Sequence, residues 1–264
     1  MEKSKDHFIS LIIPCYKQEK IIVKNLKQVL FTLNKIRYDF EIIVVVDGLV
    51  DRAFSFLKKA KLKKVKIFQY SKNQGKSLAI RFGLSQAKGD YLMFLDSGME
   101  INPNGISMLL EHLEWFNADI VVGSKRHPSS LVEYPLDRKI LSYGYYFLIK
   151  ILFGLRINDT QAGIKIFKKE VLEKVLPRLM EKKFAGDLEI LIVALALGYD
   201  KICEAPIKLE YAQKAFSTAV KFNSIVNILV DTLAIFYRKN ILRYYQGKNF
   251  KKIIFPPFET YEYK

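Results

Sequence analysis

The first half of this chain alternates short, unbroken apolar runs with segments of helical spacing, and this alternation constrains the fold most. Rich in β-branched residues, the runs predict strands over 8–14, 41–46, 65–70 and 119–122, with a further strand that ends at Asp96. Apolar strands joined by amphipathic helices are typical of a parallel sheet covered by helices on both faces. The sequence therefore predicts an α/β protein with a mostly parallel central sheet.

The second half of the chain departs from this alternation. Its apolar segments predict helices and one last strand, which Pro206 places at a sheet edge. These segments are 139–155 (helix), 188–196 (helix), 201–209 (strand) and 219–245 (helix). With 264 residues, 50% of them hydrophobic, the chain is long enough for one substantial domain. We predict a main domain over 1–217 and an amphipathic helical extension over 218–264.

The chain carries a formal net charge of +16, which indicates an anionic partner. Nucleic acid, an anionic membrane surface and a phosphorylated substrate all satisfy that charge. The basic residues are spread along the sequence and rarely alternate with aromatic residues in a recognisable nucleic-acid-binding motif. We therefore expect no nucleic-acid partner.

Polar side chains follow three of the predicted strands, where an open α/β sheet binds its ligands. They are Pro14 with Tyr16 and Glu19, Asp47 with Asp51, and Asp96 with Glu100. Mg²⁺ usually takes one or two protein carboxylates together with substrate phosphates, so Asp96 and Glu100 are candidate metal ligands. The alternative is that Asp96 only caps the turn before Pro103.

The turn at 73–76 opens a predicted helix, where free backbone N–H groups and Lys76 would suit a phosphate. The chain has no G-x-G-x-x-G after its first strand and no Walker pattern. A nicotinamide dehydrogenase and a P-loop NTPase are therefore disfavoured. A nucleotide held through aromatic and acidic contacts, with a metal at its diphosphate, fits better.

Five blocks in this order give the chain a family resemblance over residues 8–217. They are Ile13-Pro14-Cys15-Tyr16, Val44-Val45-Val46-Asp47-Gly48-Leu49-Val50-Asp51, Asn73-Gln74-Gly75-Lys76, Leu95-Asp96-Ser97-Gly98, and Asp159-Thr160-Gln161-Ala162-Gly163-Ile164-Lys165, with Gly123-Ser124-Lys125-Arg126 between the last two. The chain resembles family 2 glycosyltransferases of the GT-A fold, and within them the polyprenyl-phosphate (dolichyl-phosphate) sugar synthases.

The resemblance implies transfer of a hexose from UDP-glucose, GDP-mannose or a similar donor to polyprenyl phosphate, with Mg²⁺ or Mn²⁺ and with inversion. It places the donor nucleotide at Pro14, Tyr16, Glu19, Asp47, Lys76 and Asp96, and the metal at Asp96 and Glu100. It places the reaction at Asp96, Arg126, Arg138, Asp159, Gln161 and Asp187.

Several of these roles have alternatives. Arg126 and Arg138 are candidates for the acceptor phosphate, because guanidinium matches phosphate with paired donors. Arg138 could instead be a surface arginine ahead of a helix. Asp159 and Gln161 are candidates for sugar hydroxyls or the acceptor loop, and Glu189, which with Asp187 resembles a family D-x-E pair, could instead brace the fold.

The chain also departs from the family pattern. Lys17 and Gln18 follow Tyr16, Val46 replaces the first of two acids, and Gly98 replaces the second acid of D-x-D. These changes leave open how tightly the nucleotide and metal bind. Two alternative functions follow: a family 2 transferase that acts on a polysaccharide or another surface glycan, and a silent membrane-surface scaffold.

Segments 139–155 and 219–245 carry aromatic residues beside cations but are too polar to span a membrane. Such helices lie in the headgroup region. The alternative is that they pack on the sheet or on a second subunit of a homo-oligomer. Because residues 1–7 are highly charged, we expect no signal peptide. We expect a peripheral protein at the cytoplasmic face of a membrane.

Overall fold

The protein's architecture is taken from a computed structural model that describes residues 4–132, 136–210, 222–247, 250 and 254–263. Its centre is an eight-stranded sheet of order β10-β3-β2-β1-β4-β7-β5-β8, beside a two-stranded sheet of β6 and β9. The strands are β1 (Ser4–Cys15), β2 (Tyr38–Val46), β3 (Val65–Tyr70), β4 (Tyr91–Leu95), β5 (Ile120–Ser124), β6 (Leu131–Val132), β7 (Ile164–Lys168), β8 (Ile202–Pro206), β9 (Lys208–Leu209) and β10 (Phe258–Glu262).

Helices cover both faces of this sheet. They are α1 (Ile22–Asn34), α2 (Ala53–Ala60), α3 (Lys76–Gln86), α4 (Gly105–Trp115), α5 (Leu136–Phe153), α6 (Lys169–Val175), α7 (Gly186–Ala196) and α8 (Phe222–Asn240). One apolar core lies between the sheet and α1, α2 and α4, and the other lies under α3, α5, α6, α7 and α8. Along β1, Leu11 and Ile13 enter the first core and Ile12 the second, which is the alternation a strand buried on both faces requires.

Most neighbouring strands are parallel, as the sequence predicts, and β8 lies at the predicted sheet edge. Two strands run antiparallel. β7 lies between β4 and β5 and is antiparallel to both, so the loop that precedes β7 meets the carboxyl end of β4. The sequence pattern does not predict β7. This strand brings Gly163 beside Asp96.

The C-terminal extension is helical over α8 and then returns to the main body as a strand, which the prediction of a helical extension over 218–264 did not include. β10 pairs antiparallel with β3 and completes the sheet edge, so the strand predicted over 201–209 is not the last one. Phe258 packs on Phe68 and Phe82 at ring-centroid distances of 5.5 and 4.8 Å. The predicted boundary at residue 217 lies outside the described residues.

Among the described helices, none combines the length and the apolar character needed to cross a membrane.

Candidate active site

An ion-pair cluster forms where β4 ends. The ammonium of Lys76, the first residue of α3, lies 2.8 Å from a carboxylate oxygen of Asp96 and 3.1 Å from one of Asp187, the second residue of α7. The Asp96 side chain is 43% exposed, whereas that of Asp187 is buried. The sheet and two helix N-termini therefore bring a shared lysine and two acids to one strand end, with Asp96 open to solvent.

Lys165 extends this cluster inward. Its side chain is fully buried, and its Nζ donates to the carbonyl of Ala162 at 2.9 Å and lies 3.5 Å from Asp187. Burial alone would raise the pKa of the Asp187 carboxyl, but the charges of Lys165 and Lys76 hold it below its ordinary value. Burial would likewise lower the pKa of Lys76, but Asp187 and Asp96 raise it. Lys76 and Asp187 are therefore both charged at neutral pH.

Asp47 is buried and uses its carboxylate to hold the turn at 73–75. It accepts hydrogen bonds from the backbone N–H groups of Gln74 and Gly75 at 2.7 and 2.8 Å, and from the side-chain amide of Asn73 at 2.8 Å. Burial raises the pKa of Asp47, and the two backbone donors oppose that rise. Asp47 therefore fixes the turn that leads into Lys76.

The hydrogen bonds of the same turn contradict the prediction that its backbone N–H groups are free to bind a phosphate. The N–H groups of Ser77 and Leu78, in the first turn of α3, donate to the carbonyls of Lys183 and Lys182 at 3.3 and 3.1 Å. Together with the two N–H groups that Asp47 accepts, four donors of this turn are used within the chain. The prediction of free N–H groups here is wrong, because the loop before α7 covers the helix start. Lys76 is the cation that the turn presents.

The predicted nucleotide residues near β1 lie at and just past the carboxyl end of that strand. Pro14 is in β1, and Tyr16, just past it, is 37% exposed. The backbone N–H of Glu19 donates to Asp51 at 2.9 Å, and the Glu19 carboxylate accepts the backbone N–H of Arg52 at 2.9 Å. The latter hydrogen bond lowers the pKa of Glu19. Glu19 and Asp51 therefore tie together the loops that follow β1 and β2.

The loop before β7 supplies a second charged group. Asp159 is buried, accepts the backbone N–H of Lys125 at 2.9 Å and pairs with its ammonium at 2.9 Å. The Asp159 backbone N–H donates to Glu204 at 3.1 Å. Burial alone would raise the pKa of the Asp159 carboxyl, but Lys125 holds it below its ordinary value. Asp159 therefore joins the loop after β5 to the loop before β7.

The substitution Asp159→Asn should lower the free energy of unfolding by about 3 kcal/mol near neutral pH, because it leaves Lys125 unpaired. A carboxyl with a lowered folded-state pKa contributes stability above its unfolded value of about 3.9 and loses it as the pH falls through the folded value. The difference from wild type should therefore shrink below about pH 4. Urea unfolding from pH 3 to 7 measures this, and the exposed Asp200→Asn is the control. A difference that stays constant with pH would contradict the assignment.

Arg126 uses its guanidinium to hold α5. It donates to the carbonyl of Asn158 at 2.8 Å and to the carbonyl and hydroxyl oxygens of Ser142 at 2.6 Å each. Its guanidinium carbon lies about 5 Å from the ring centroids of Tyr143 and Tyr146. Arg138 is in the first turn of the same helix, and its side chain lies outside the described part of the chain.

Gln161 has a side-chain nitrogen that is buried without a hydrogen-bond partner among the described residues. An unpaired buried amide is costly, and a ligand oxygen would satisfy it. Since Gln161 precedes Gly163 by two residues and the Gly163 carbonyl accepts the Asp96 N–H at 2.9 Å, this amide lies on the loop that adjoins the Asp96 end of β4.

The two predicted metal ligands do not form a complete protein site. Within the described ranges, no group of three or more His, Cys, Asp and Glu residues could hold a metal ion. Glu100 is partly buried, and its carbonyl accepts the backbone N–H of Glu210 at 2.8 Å. The oxygen donors present still suit Mg²⁺ or Mn²⁺, because these ions commonly complete their shells with water and substrate phosphate.

Gly98 occupies the place of the second acid of D-x-D, and a Cβ there would meet nothing within 4 Å. We expect Gly98→Asp to fit and to tighten Mn²⁺ binding about tenfold in the presence of a nucleoside diphosphate, because it adds a charged oxygen ligand. Isothermal titration with Mn²⁺ measures the change. Gly98→Asn has the same size without the charge. Equal affinities for the two variants would contradict the position of the metal.

Three residues of the candidate site have no role in the sequence-based prediction. Lys125 and Lys165 pair with the buried acids Asp159 and Asp187, and Gly163 makes room for Asp96. All three lie inside the quoted motif blocks. The motif blocks therefore mark these residues, but only the fold shows which acid each lysine pairs with.

The fold matches solved glycosyltransferases. The crystal structure of glucosyl-3-phosphoglycerate synthase from Mycobacterium tuberculosis with Mn²⁺, UDP and phosphoglyceric acid superimposes with a TM-score of 0.66, covers 88% of this chain and 79% of that chain, and is 15% identical. The sheet is therefore that of the GT-A glycosyltransferases, as predicted.

The Glycosyl transferase family 2 model matches residues 10–176, which is more than half of the chain. The chain belongs to glycosyltransferase family 2 and is a glycosyltransferase. Human (Homo sapiens) dolichyl-phosphate beta-glucosyltransferase is 29% identical over an alignment of 243 residues that covers 86% of this chain and 74% of the relative. The UDP-N-acetylglucosamine–dolichyl-phosphate N-acetylglucosaminyltransferase of Methanococcus voltae is 27% identical over an alignment of 256 residues that covers 90% of this chain and 97% of the relative.

Proposed function

We propose that this protein transfers a hexose or an N-acetylhexosamine from a nucleotide sugar to polyprenyl or dolichyl phosphate. The observation that carries the proposal is the cluster of Lys76, Asp96 and Asp187 at the carboxyl end of β4, which offers an ammonium to a diphosphate and an exposed carboxylate to a divalent cation. The names of the two relatives support the acceptor, and they support glucose or N-acetylglucosamine as the sugar. GDP-mannose stays an alternative donor.

The donor would lie along the ends of β1, β2 and β4. Tyr16 offers an exposed ring for the base, and Asp47 fixes the turn that presents Lys76. Lys76 would neutralise charge on the diphosphate as the bond to the sugar breaks. The buried side-chain nitrogen of Gln161 would donate a hydrogen bond to a sugar hydroxyl oxygen.

A divalent cation, Mg²⁺ or Mn²⁺, would be held by Asp96, with Glu100 as a second carboxylate, and would act as a Lewis acid on the leaving diphosphate. The position of Asp96 at the strand end, with 43% of its side chain exposed, supports this role. The ammonium of Lys76 shares the same carboxylate, so it would keep Asp96 oriented.

The acceptor needs orientation more than activation. A phosphate monoester has its second pKa near 6, so its oxygen is a charged nucleophile at neutral pH without a strong general base. We propose Arg126 and Arg138 as the cations that place it. Two hydrogen bonds from Arg126 to Ser142 hold α5, which carries Arg138, and a third joins Arg126 to the Asn158 carbonyl in the loop before β7. Asp187 would act by holding Lys76 through the transfer.

We propose that α5 and α8 lie on the cytoplasmic surface of a membrane. The helices are joined by a 2.9 Å hydrogen bond between the hydroxyls of Tyr145 and Thr232 and by ring packing of Phe153 on Phe236. Both expose large apolar side chains: Ile140, Leu141, Phe147 and Ile151 on α5, and Val230, Leu233 and Tyr237 on α8. The lysines on these helices would add about 1 kcal/mol each at an anionic surface.

Product analysis tests the acceptor. The purified protein is incubated with membranes, Mg²⁺ or Mn²⁺, and labelled UDP-glucose, UDP-N-acetylglucosamine or GDP-mannose in turn. We expect label from one donor in an acid-labile lipid that partitions into the organic phase. Label confined to a water-soluble or insoluble glycan would favour the polysaccharide alternative, and no transfer with any donor would favour the silent scaffold.

A further inference from the structure

Glu189 is the centre of a buried network outside the cluster at Asp96. It is fully buried on α7, and one carboxylate oxygen accepts the backbone N–H groups of Met180 and Glu181 at 2.9 and 2.8 Å. The other oxygen accepts the hydroxyl of Tyr245 at 2.7 Å and Arg238 at 3.2 Å. The carboxylate thus fixes the loop before α7 on one side and the C-terminal extension on the other.

Arg238 closes the network from α8. Its second terminal nitrogen lies 2.7 Å from Glu181, so one guanidinium bridges two carboxylates of the main body. Arg81, which is on the same helix as Lys76, is buried and its charge interacts with that of Glu189. A buried carboxylate with several partners is costly to disturb, because removing one partner leaves the others uncompensated.

The loop that this network fixes is the one that covers the start of α3. Glu181 is followed directly by Lys182 and Lys183, whose carbonyls accept the N–H groups of Leu78 and Ser77. A Cβ at Gly75 would clash with the Lys182 carbonyl, so loop and turn fit closely. The position of Lys76 is therefore set from two sides, by Asp47 and by the loop at 180–183.

We propose that Glu189 and Arg238 are positioning residues for Lys76, so that docking of the C-terminal helix α8 sets the geometry of the donor site. The chain of contacts runs from Arg238 through Glu181 and Glu189 to the loop at 180–183, and from its carbonyls to the first turn of α3. The inference rests on the proposed function only in taking Lys76 as a group that binds the donor diphosphate.

Hydrogen exchange in the full-length protein tests this coupling without any activity assay. In Arg238→Met we expect exchange in peptides covering 74–82 to rise about tenfold, because the carbonyls that accept the Ser77 and Leu78 N–H groups lose their fixed position. Tyr245→Phe removes one hydroxyl from Glu189 and should give a smaller rise at the same peptides. If Arg238→Met does not fold, Tyr245→Phe alone still tests the coupling.

Lys66→Met is the matched control. Lys66 and Glu41 have side chains 20% and 10% exposed, and Arg238 and Glu181 are 21% and 10% exposed, so the two ion pairs are equally buried. Lys66 lies on β3, away from α7 and α8. The Lys66→Met variant should leave hydrogen exchange at residues 74–82 unchanged. Unchanged exchange there in Arg238→Met, or a rise spread evenly over the sheet in both variants, would overturn the proposal.

Kinetics separates positioning from a merely structural role. We expect Arg238→Met to raise the KM for the nucleotide sugar about five- to tenfold and to leave the KM for the lipid phosphate near the wild-type value, with Arg238→Lys partly restoring the donor KM. Equal changes in both KM values would overturn the proposal. If the wild-type protein transfers no sugar, the proposed function fails, and the exchange result still decides the coupling.

Discussion

Asp96→Asn should lower kcat about 10²- to 10³-fold while the protein stays folded, because the carboxylate is the exposed anionic group of the cluster. The amide keeps the size of the side chain but loses the charge that pairs with Lys76 at 2.8 Å and that would hold a divalent cation. Since 43% of the side chain is exposed, the loss should fall on turnover rather than on stability. Steady-state transfer rates and thermal unfolding measure the two effects separately.

Asp90→Asn is the control at the other end of β4. Asp90 precedes β4 at the opposite end from Asp96, and its carboxylate accepts the Phe8 backbone N–H at 2.9 Å. This variant should keep its turnover, although it loses the charge of a strand-end aspartate. An Asp96→Asn enzyme within about a factor of three of the wild-type rate would contradict a catalytic role for Asp96.

Gly163→Ala should reduce turnover about 100-fold, because a misplacement of about 1 Å at a reacting centre costs that much. A Cβ at Gly163 would fall inside van der Waals contact of the Asp96 carboxylate and would push it from its place beside Lys76. The Gly163 carbonyl also accepts the Asp96 backbone N–H, so the two residues cannot separate freely. Transfer rates at saturating donor and acceptor measure the loss.

Gly105→Ala is the matched control for this steric argument. Gly105 is buried like Gly163, but an added Cβ would meet Cδ1 of Ile164 at 3.7 Å, which is ordinary contact. We expect this variant to retain turnover. Full activity in Gly163→Ala would show that Asp96 moves without cost and would contradict the geometry of the cluster.

The sequence predicted the parallel part of the sheet because its strands are buried on both faces and carry a continuous apolar signal. β7 was missed because its five residues, with Lys165 and Lys168 among them, have no such run. Lys165 is nonetheless buried, since Asp187 and the Ala162 carbonyl satisfy it. Burial of a paired charge is a property of the fold that local hydropathy does not contain.

The sequence motifs indicate the residue types of the candidate site, but they do not indicate which of these residues are in contact. The motifs marked Lys76 and Asp96 without indicating that they pair, and they gave no sign that Lys182 and Lys183 cover the start of α3. That contact joins residues far apart in the chain. The pairing of β10 with β3 also joins residues far apart in the chain. In addition, β10 has five mostly exposed residues, so it lacks the apolar run that predicts a strand.

The most direct test of the account is whether transfer requires the phosphate of the lipid acceptor. With one labelled nucleotide sugar that supports transfer, the protein is given a short polyprenyl phosphate or the matching polyprenol, and organic-phase label is counted for wild type and Asp96→Asn. We predict label only with the phosphate, and about 10²- to 10³-fold less in the variant. Equal labelling of the free polyprenol would contradict the requirement for the lipid phosphate. An Asp96→Asn variant as active as wild type would contradict the role of Asp96.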